Sequence, residues 1–354
     1  MSGRMPVLPV RRRLLRSALW LPLLVMAPRP SLAALADLRR FGVRGDGRHD
    51  DTLALQRAVD AVPGGGVLDL PPGSYLVDPV RSLRLHSRMH LRLARGARLV
   101  AKPNAAPRGY VLLVERASDV RISGGRIVGE RHAHLGRSGE WGHGIMVRGA
   151  SRVSISSMRI SDCWGDGISI GASKLGGGRA LPSSDIDIAG VACIGNRRQG
   201  LTIGRSRRVR VRDCEFSGTG GTAPQAGIDV EPDAGDVAQD VRIERCVVRG
   251  NRGPGIQVWK RTRDIAIVDC TIEGNRNAGV LAVGATGLLV SRNRIRGNPA
   301  GGVVVRGGSN RVRVAGNRFQ DNGRPGFRHG MARHVRVADD TGSVVVAGDN
   351  RAID

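Results

Sequence analysis

The chain has 354 residues, with 51 Gly but only four Phe, four Trp and two Tyr; 40% are apolar and 25% charged. That apolar share excludes a disordered polyelectrolyte, and glycine without a three-residue period excludes a collagen-like chain. The formal charge is +25, and only Lys102, Lys174 and Lys260 of the 56 cationic residues are lysine. Arginine alternates along strand-like runs such as Val209–Arg212 instead of gathering in a tail. This reads as a solvated surface or as attraction to a polyanion, and not as a nucleic-acid patch.

Residues 1–33 read as an export signal. Arg11, Arg12 and Arg13 precede Leu14, Leu15 and Arg16, and the apolar run from Ala18 to Ala27 is too short to span a bilayer. Small-residue cleavage sites follow, ending at Ala33 or Ala36. The Arg-Arg-x-Leu-Leu-Arg order resembles a twin-arginine signal, with an ordinary secretory signal as the alternative. Loss of residues 1–33, which hold six Arg and no acid, leaves +19. The expected location is periplasmic or secreted, with no membrane attachment after cleavage.

Residues 37–354 read as one domain, of which 37–75 form an N-terminal cap. Asp51 is placed to open an amphipathic helix from Thr52 to Val62, with Leu55, Ala58, Val59 and Val62 on one face. Gly64–Gly66 and Pro71–Gly73 then punctuate the entry into strands, from about residue 65.

From about residue 117 one phrase recurs. In its clearest copy Val241, Ile243, Cys246, Val248, Asn251, Gly255 and Val258 hold the key positions. The closing glycines are Gly144, Gly167, Gly200, Gly227, Gly255, Gly279, Gly302 and Gly326; the last four are spaced 24, 23 and 24 apart. Two or three short strands per repeat cannot enclose a core alone, but stacked they form a parallel solenoid. The fold class is therefore all-β: a right-handed parallel β-helix with an N-terminal capping helix. Asn196, Asn251, Asn275, Asn298 and Asn322, each four residues before a glycine, form a ladder in one turn, where Asn tolerates a left-handed backbone. Cys214, Cys246 and Cys270 share a column with Met158, Val191, Asn293 and Asn317. It reads as an inward stack in which parallel Cβ directions disfavour disulfides.

Phe41 to Thr52, followed by Gly65 to Tyr75, resembles the opening of the pectate-lyase and polygalacturonase superfamily, including its rhamnogalacturonase and epimerase-like members. The resemblance implies a secreted, polysaccharide-acting β-helix, although the same block also opens structural β-helices. In polygalacturonases the acids and the histidine sit just before the glycine-like residue of successive coils. Here those slots hold His143, Asp166 and Gln199, with Asp229 and Glu231 one coil further. Positions match, but no Asp-Asp pair is present, His comes first, and acids replace the family's basic pair.

Three signals coincide on these coils. The polar slots are confined to them. About ten residues are inserted around Arg131–Glu140, about nine around Ala172–Leu181 and about four around Gly220–Thr222, and insertions on one face of a solenoid build a binding face. Trp141, Trp164 and Trp259 flank the same region, as sugar-stacking platforms would; core filling is the alternative. The expected catalytic set is Asp166, Asp229, Glu231 and His143. The expected substrate-binding set is Arg197, Arg198, Gln199, Glu140, Trp141, Trp164 and Trp259. Asp229 and Glu231 share one strand face, and carboxyls with pKa values pushed apart suit acid/base hydrolysis of a glycosidic bond. Elimination on a polyuronate is the alternative, with Arg197, Arg198 or a Ca²⁺ on Asp229 and Glu231 neutralising the uronate, and His143 or an arginine as base. A non-catalytic, carbohydrate-binding or structural role is the third reading. Cys and His spacing suggests no metal site, hydrolysis needs no cofactor, the partner is a polysaccharide and not nucleic acid, and the oligomeric state is left open.

Overall fold

The computed structural model describes residues 38–324 and 330–353. The export-signal reading of residues 1–33 lies outside the described residues, as does Gly326.

Each coil is built from three short strands, as in Leu201–Ile203, Ser206–Arg212 and Glu215–Ser217. These coil strands pair in parallel with their counterparts one coil on: Leu201 with Ile228, Val209 with Val241, Phe216 with Val248. The first strands of the coils form a ten-stranded sheet, and the other two sets form the ladders of a 21-stranded sheet. Period-2 alternation sends Ile168, Leu201, Ile228, Ile256, Val280 and Val303 inward, all fully buried. They belong to a single apolar core running from Leu38 to Val335. Each such residue contributes about 1.5–3 kcal/mol by leaving water.

The glycine column follows from close approach. A Cβ on Gly144, Gly167, Gly200, Gly227, Gly255 or Gly279 would lie 2.6–2.8 Å from the carbonyl oxygen of the next glycine in the stack. Seven of the eight glycines stack in this way. At the end of the stack Gly302 lies beside His334, because Val303 pairs with Val335.

The asparagine ladder is present and fully buried from Asn251 to Asn322, but Asn196 stands outside it, because Thr219 holds the place between it and Asn251. Asn251 donates to Asn275 Oδ1 at 2.8 Å, Asn275 to Asn298 at 3.1 Å and Asn298 to Asn322 at 2.9 Å. The left-handed residue is not the asparagine, however, but the one before it: Gly195, Gly250, Gly274, Gly297 and Asp321 carry the positive φ. Asn is there for its amide, which satisfies backbone groups that no strand reaches. A second ladder, Asn293–Asn317–Asn350, continues the cysteine column. All five cysteines are buried and unpaired.

The helix spans Thr52–Asp60 and buries Leu55, Ala58 and Val59. Asp51 does not cap it with its side chain; the carboxylate instead accepts the backbone N–H of Arg44 at 2.7 Å and of Gly45 at 3.0 Å. Strand stacking begins before residue 65, because Asp46–Asp50 pairs in parallel with Gly73–Val77. Several exposed arginines are tethered. Arg152, Arg208, Arg245 and Arg292 each grip an aspartate one coil away, at Asp119, Asp185, Asp213 and Asp269. These exposed pairs describe a solvated surface and add little stability individually.

Candidate functional site

The outward face of the ten-stranded sheet carries the expected constellation. Strand register places Ser169, Thr202, Asp229 and Gln257 in one column. His143, Asp166 and Gln199 enter from the positions just before their glycines, stacked by the Gly144 N–H to Asp166 O and Gly167 N–H to Gln199 O hydrogen bonds. Outward positions on a solenoid are ordinarily wet. Here Asp166, Gln199 and Asp229 are 0% exposed and His143 is 3% exposed.

Burying such groups requires partners, and they form one network. His143 Nδ1 accepts the backbone N–H of Asp166 at 3.0 Å. Thr202 Oγ1 lies 2.8 Å from Asp166 Oδ2 and also contacts Gln199 Oε1, so its proton serves one of them at a time. The Arg198 guanidinium reaches both Asp166 oxygens at 3.4 Å, Gln199 Oε1, and Glu140 Oε2 at 3.3 Å. The Gln199 amide donates to Asp229 Oδ2, and Gln257 donates to Asp229 Oδ1 at 3.1 Å. Gln199 thus bridges the two aspartates.

Electrostatics separates the groups. Burial raises the Asp229 carboxyl well above its usual range, helped by the charge and hydrogen bond of Glu231, and Arg198 and Gln257 only partly oppose this. Burial lowers His143, so the ring is neutral. Since its Nδ1 accepts an N–H, the ring proton sits on Nε2. Arg198 is held charged despite burial by Asp166 and Glu140. Two carboxyls alone are a poor Ca²⁺ site, which takes six to eight oxygens. Among the described residues no group of three or more His, Cys, Asp or Glu could hold a metal ion.

The loop 131–140 roofs this network. Arg131 bonds the carbonyls of Gly195 and Gly220, Arg197 bonds those of Gly139 at 3.0 Å and Trp164 at 3.2 Å, and Glu140 meets Arg198. The Gly220–Thr222 insertion is tied to the same place, since Thr222 N–H bonds the Arg197 carbonyl. The third insertion is elsewhere. Ser173–Gly176 and Arg179–Leu181 form an antiparallel hairpin. It docks on Arg116 at the other edge of the sheet, where the strands end.

Two tryptophans are not sugar platforms over the network. The Trp164 ring is sandwiched between His134, with centroids 3.9 Å apart, and the Arg197 guanidinium at 3.7 Å. Trp259 packs on an apolar pad of Ala278, Leu281 and Val283 outside the sheet. Trp141 is 41% exposed and backed by Arg108. The sequence reading passed over Thr202 and Gln257, although they occupy the same column as Asp229. It also missed Glu130 and His134, a buried pair 3.2 Å apart beneath the loop; no repeat position marks them.

The chain matches the family described as "Right handed beta helix region" over residues 104–238 and 226–341. It also matches "Rhamnogalacturonase A/epimerase, pectate lyase-like" over 36–92. Among curated proteins, it is 32% identical over 214 residues to the uncharacterized protein YclG of Bacillus subtilis, covering 54% of this chain and 37% of that protein. It is 39% identical over 70 residues to the exo-poly-alpha-D-galacturonosidase of Dickeya chrysanthemi, covering 20% of this chain and 11% of that enzyme. The chain thus spans well under half the length of these relatives. Among solved structures, the A-module of the mannuronan C-5 epimerase AlgE4 of Azotobacter vinelandii superposes with a TM-score of 0.64 at 17% identity, covering 90% of this chain and 97% of that one. The Streptococcus pneumoniae surface protein and adhesin PfbA gives 0.64 at 15%, covering 89% and 96%. At these identities the structural likeness concerns the fold. The chain belongs to the right-handed beta helix family.

Proposed function

We propose that the protein is an exported enzyme that hydrolyses glycosidic bonds of an acidic polysaccharide, on the outward face of the ten-stranded sheet. The observation that carries this reading is the carboxyl pair Asp229–Glu231. Burial pushes the pKa of its buried member up, which favours the proton-carrying form, and Gln199 joins it to the Arg198-bound Asp166. Hydrolysis needs a proton donor for the leaving oxygen and a carboxylate that activates water or attacks. Asp229 and Glu231 together supply the donor, with Glu231 as the partly exposed outlet. Asp166 is the second carboxylate. Arg198 is the cation for a substrate carboxylate, which would take the place of Glu140 and lift the 131–140 loop. His143 positions Asp166 through its backbone.

Elimination finds less support. Arg198 suits uronate neutralisation equally well, but the Nδ1 lone pair of His143 is already taken, so the ring is not poised as a base. One observation favours a non-catalytic glycan-binding role: Asp166, Gln199 and Asp229 are wholly sealed from solvent, so any chemistry requires the loop to move. Digestion of a glycan panel, read for reducing ends and for absorbance of the conjugated uronate double bond, decides among the three. Reducing ends without the chromophore support hydrolysis, the chromophore supports elimination, and binding without turnover supports the glycan-binding role.

A further inference from the structure

The positive charge of the chain has no part in the carboxyl network except through Arg198, and one stretch of it lies on another face. The third strands of the later coils, Val247–Arg249, Thr271–Glu273, Arg294–Arg296, Arg318–Gln320 and Arg351–Ile353, stack in parallel register within the 21-stranded sheet. Their middle residues point inward, and Val248, Ile272, Ile295 and Phe319 are fully buried. Outward they present two columns. One runs Val247, Thr271, Arg294, Arg318, Arg351, and the other runs Arg249, Glu273, Arg296, Gln320, Ile353.

Arginines of this face that have an acid within reach are paired: Arg249 meets Glu215 at 2.9 Å, and Arg296 meets Glu273 at 2.7 Å. Arg294, Arg318 and Arg351 are not. All three are exposed, and among the described residues no hydrogen bond or ion pair engages their side chains. Asp349, two residues before Arg351, is committed to the Gly316 N–H at 2.9 Å. The three guanidinium groups leave adjacent strands about 4.8 Å apart, where like charges side by side repel. An anion laid across them turns that repulsion into charge-assisted hydrogen bonds.

Beside this row lies a trough of about 590 Å³, lined by Arg249, Gly250, Gly274, Arg296, Gly297 and Asp321 among others. A Cβ on Gly250 or Gly274 would meet nothing within 4 Å. The lining holds no aromatic or aliphatic side chain, so neither a sugar ring nor a nucleobase finds a surface to stack on. Recognition on this face falls to charged oxygens, and the planar fork of arginine matches phosphate.

We propose that this strip is an anchoring site for a linear phosphate-bearing polymer, laid along the solenoid axis over Arg294, Arg318 and Arg351. The site holds the protein by one face and leaves the outward face of the ten-stranded sheet free. It rests neither on that sheet as a substrate face nor on hydrolysis. Of the two acids in the trough, Glu273 is neutralised by Arg296. Asp321 has no ion pair among the described residues and opposes the polymer at the end of the trough.

The test is titration of the full chain with poly(glycerol phosphate) in low and high salt, beside polygalacturonate and single-stranded DNA at equal charge. Expected is salt-sensitive binding of poly(glycerol phosphate), weakened about tenfold by Arg318→Gln, the equivalent of one charge-assisted contact. Asp321→Asn should tighten it. Arg306→Gln, which removes an exposed arginine from the ten-stranded sheet, should leave it unchanged. No binding, or an equal loss in Arg306→Gln, overturns the site, the second because attraction is then to overall charge. Tighter binding of polygalacturonate or of DNA through Arg318 also overturns it, making the strip a carboxylate or a nucleic-acid site. Arg318-dependent binding of the phosphate polymer by a protein that cleaves no glycan leaves the site standing and removes the hydrolytic reading alone.

Discussion

His143 Nδ1 accepts the backbone N–H of Asp166 at 3.0 Å, one coil away. The bond needs a neutral imidazole, and burial lowers the His143 pKa accordingly. A group whose folded pKa lies below its unfolded value near 6.5 stabilises the fold above that value, and the contribution is lost as pH falls. Thermal stability should therefore decline between about pH 7 and pH 5. His143→Gln should flatten that slope, and His90, also lowered by burial, should account for what remains. Melting temperature against pH for both proteins checks this.

Asp229 has the opposite sign. Its folded pKa is raised, so its contribution is fully present below the unfolded carboxylate value near 3.9 and is lost as pH rises through the folded one. Asp229→Asn should keep the fold and steepen no acid transition. If the pair is the proton donor, turnover should fall by about 10²–10⁴-fold, the range of general acid catalysis. Asp166→Asn should fall comparably. Full activity in either variant, measured as reducing ends released, removes the site.

The roof over the network is held by few contacts. Arg131→Ala removes the bonds to the Gly195 and Gly220 carbonyls. Amide hydrogen exchange in 131–140 should rise while exchange in the core strands does not change. Glu140→Gln frees Arg198 from a pair that is one-third exposed on the acid side, so it should cost less than about 1 kcal/mol. If the loop gates access, both variants should lower KM more than they change kcat.

The coil stack is most sensitive where backbone meets backbone. Asn275→Ala takes from Asn251 the acceptor of its backbone N–H at 3.2 Å and of one side-chain N–H at 2.8 Å, a loss of about 2–6 kcal/mol at roughly 1–3 per buried group. Gly227→Ala places a methyl 2.5 Å from Val248 Cγ1 and 2.8 Å from the Gly255 carbonyl, and should be worse. Urea midpoints rank the two.

The five cysteines should be silent to thiol reagents in the folded protein and react together on unfolding. All are buried, and burial drives the Cys163 and Cys193 thiols up. Reaction of any one under native conditions contradicts the inward stack.

The repeat determined the coil from sequence alone. Apolar alternation, the glycine spacing and the asparagine positions each reflect a local or next-coil requirement, and each recurs at a fixed period. By the same logic the slots of His143, Asp166, Gln199 and Asp229 were legible, because one register places all of them on one face. What broke the period was not legible. At the end of the glycine column Gly302 meets His334, a residue that no repeat position marks. Trp164 carried the signature of a sugar platform, yet His134 and Arg197, which cover its two faces, come from a loop and from the next coil. Only the tertiary structure showed that the outward acids are sealed, because burial outside a solenoid depends on a loop with no repeat position. That loop also sets the electrostatics: once water is excluded, two similar carboxyls on one sheet face become an Asp229 raised by burial and an arginine-bound Asp166.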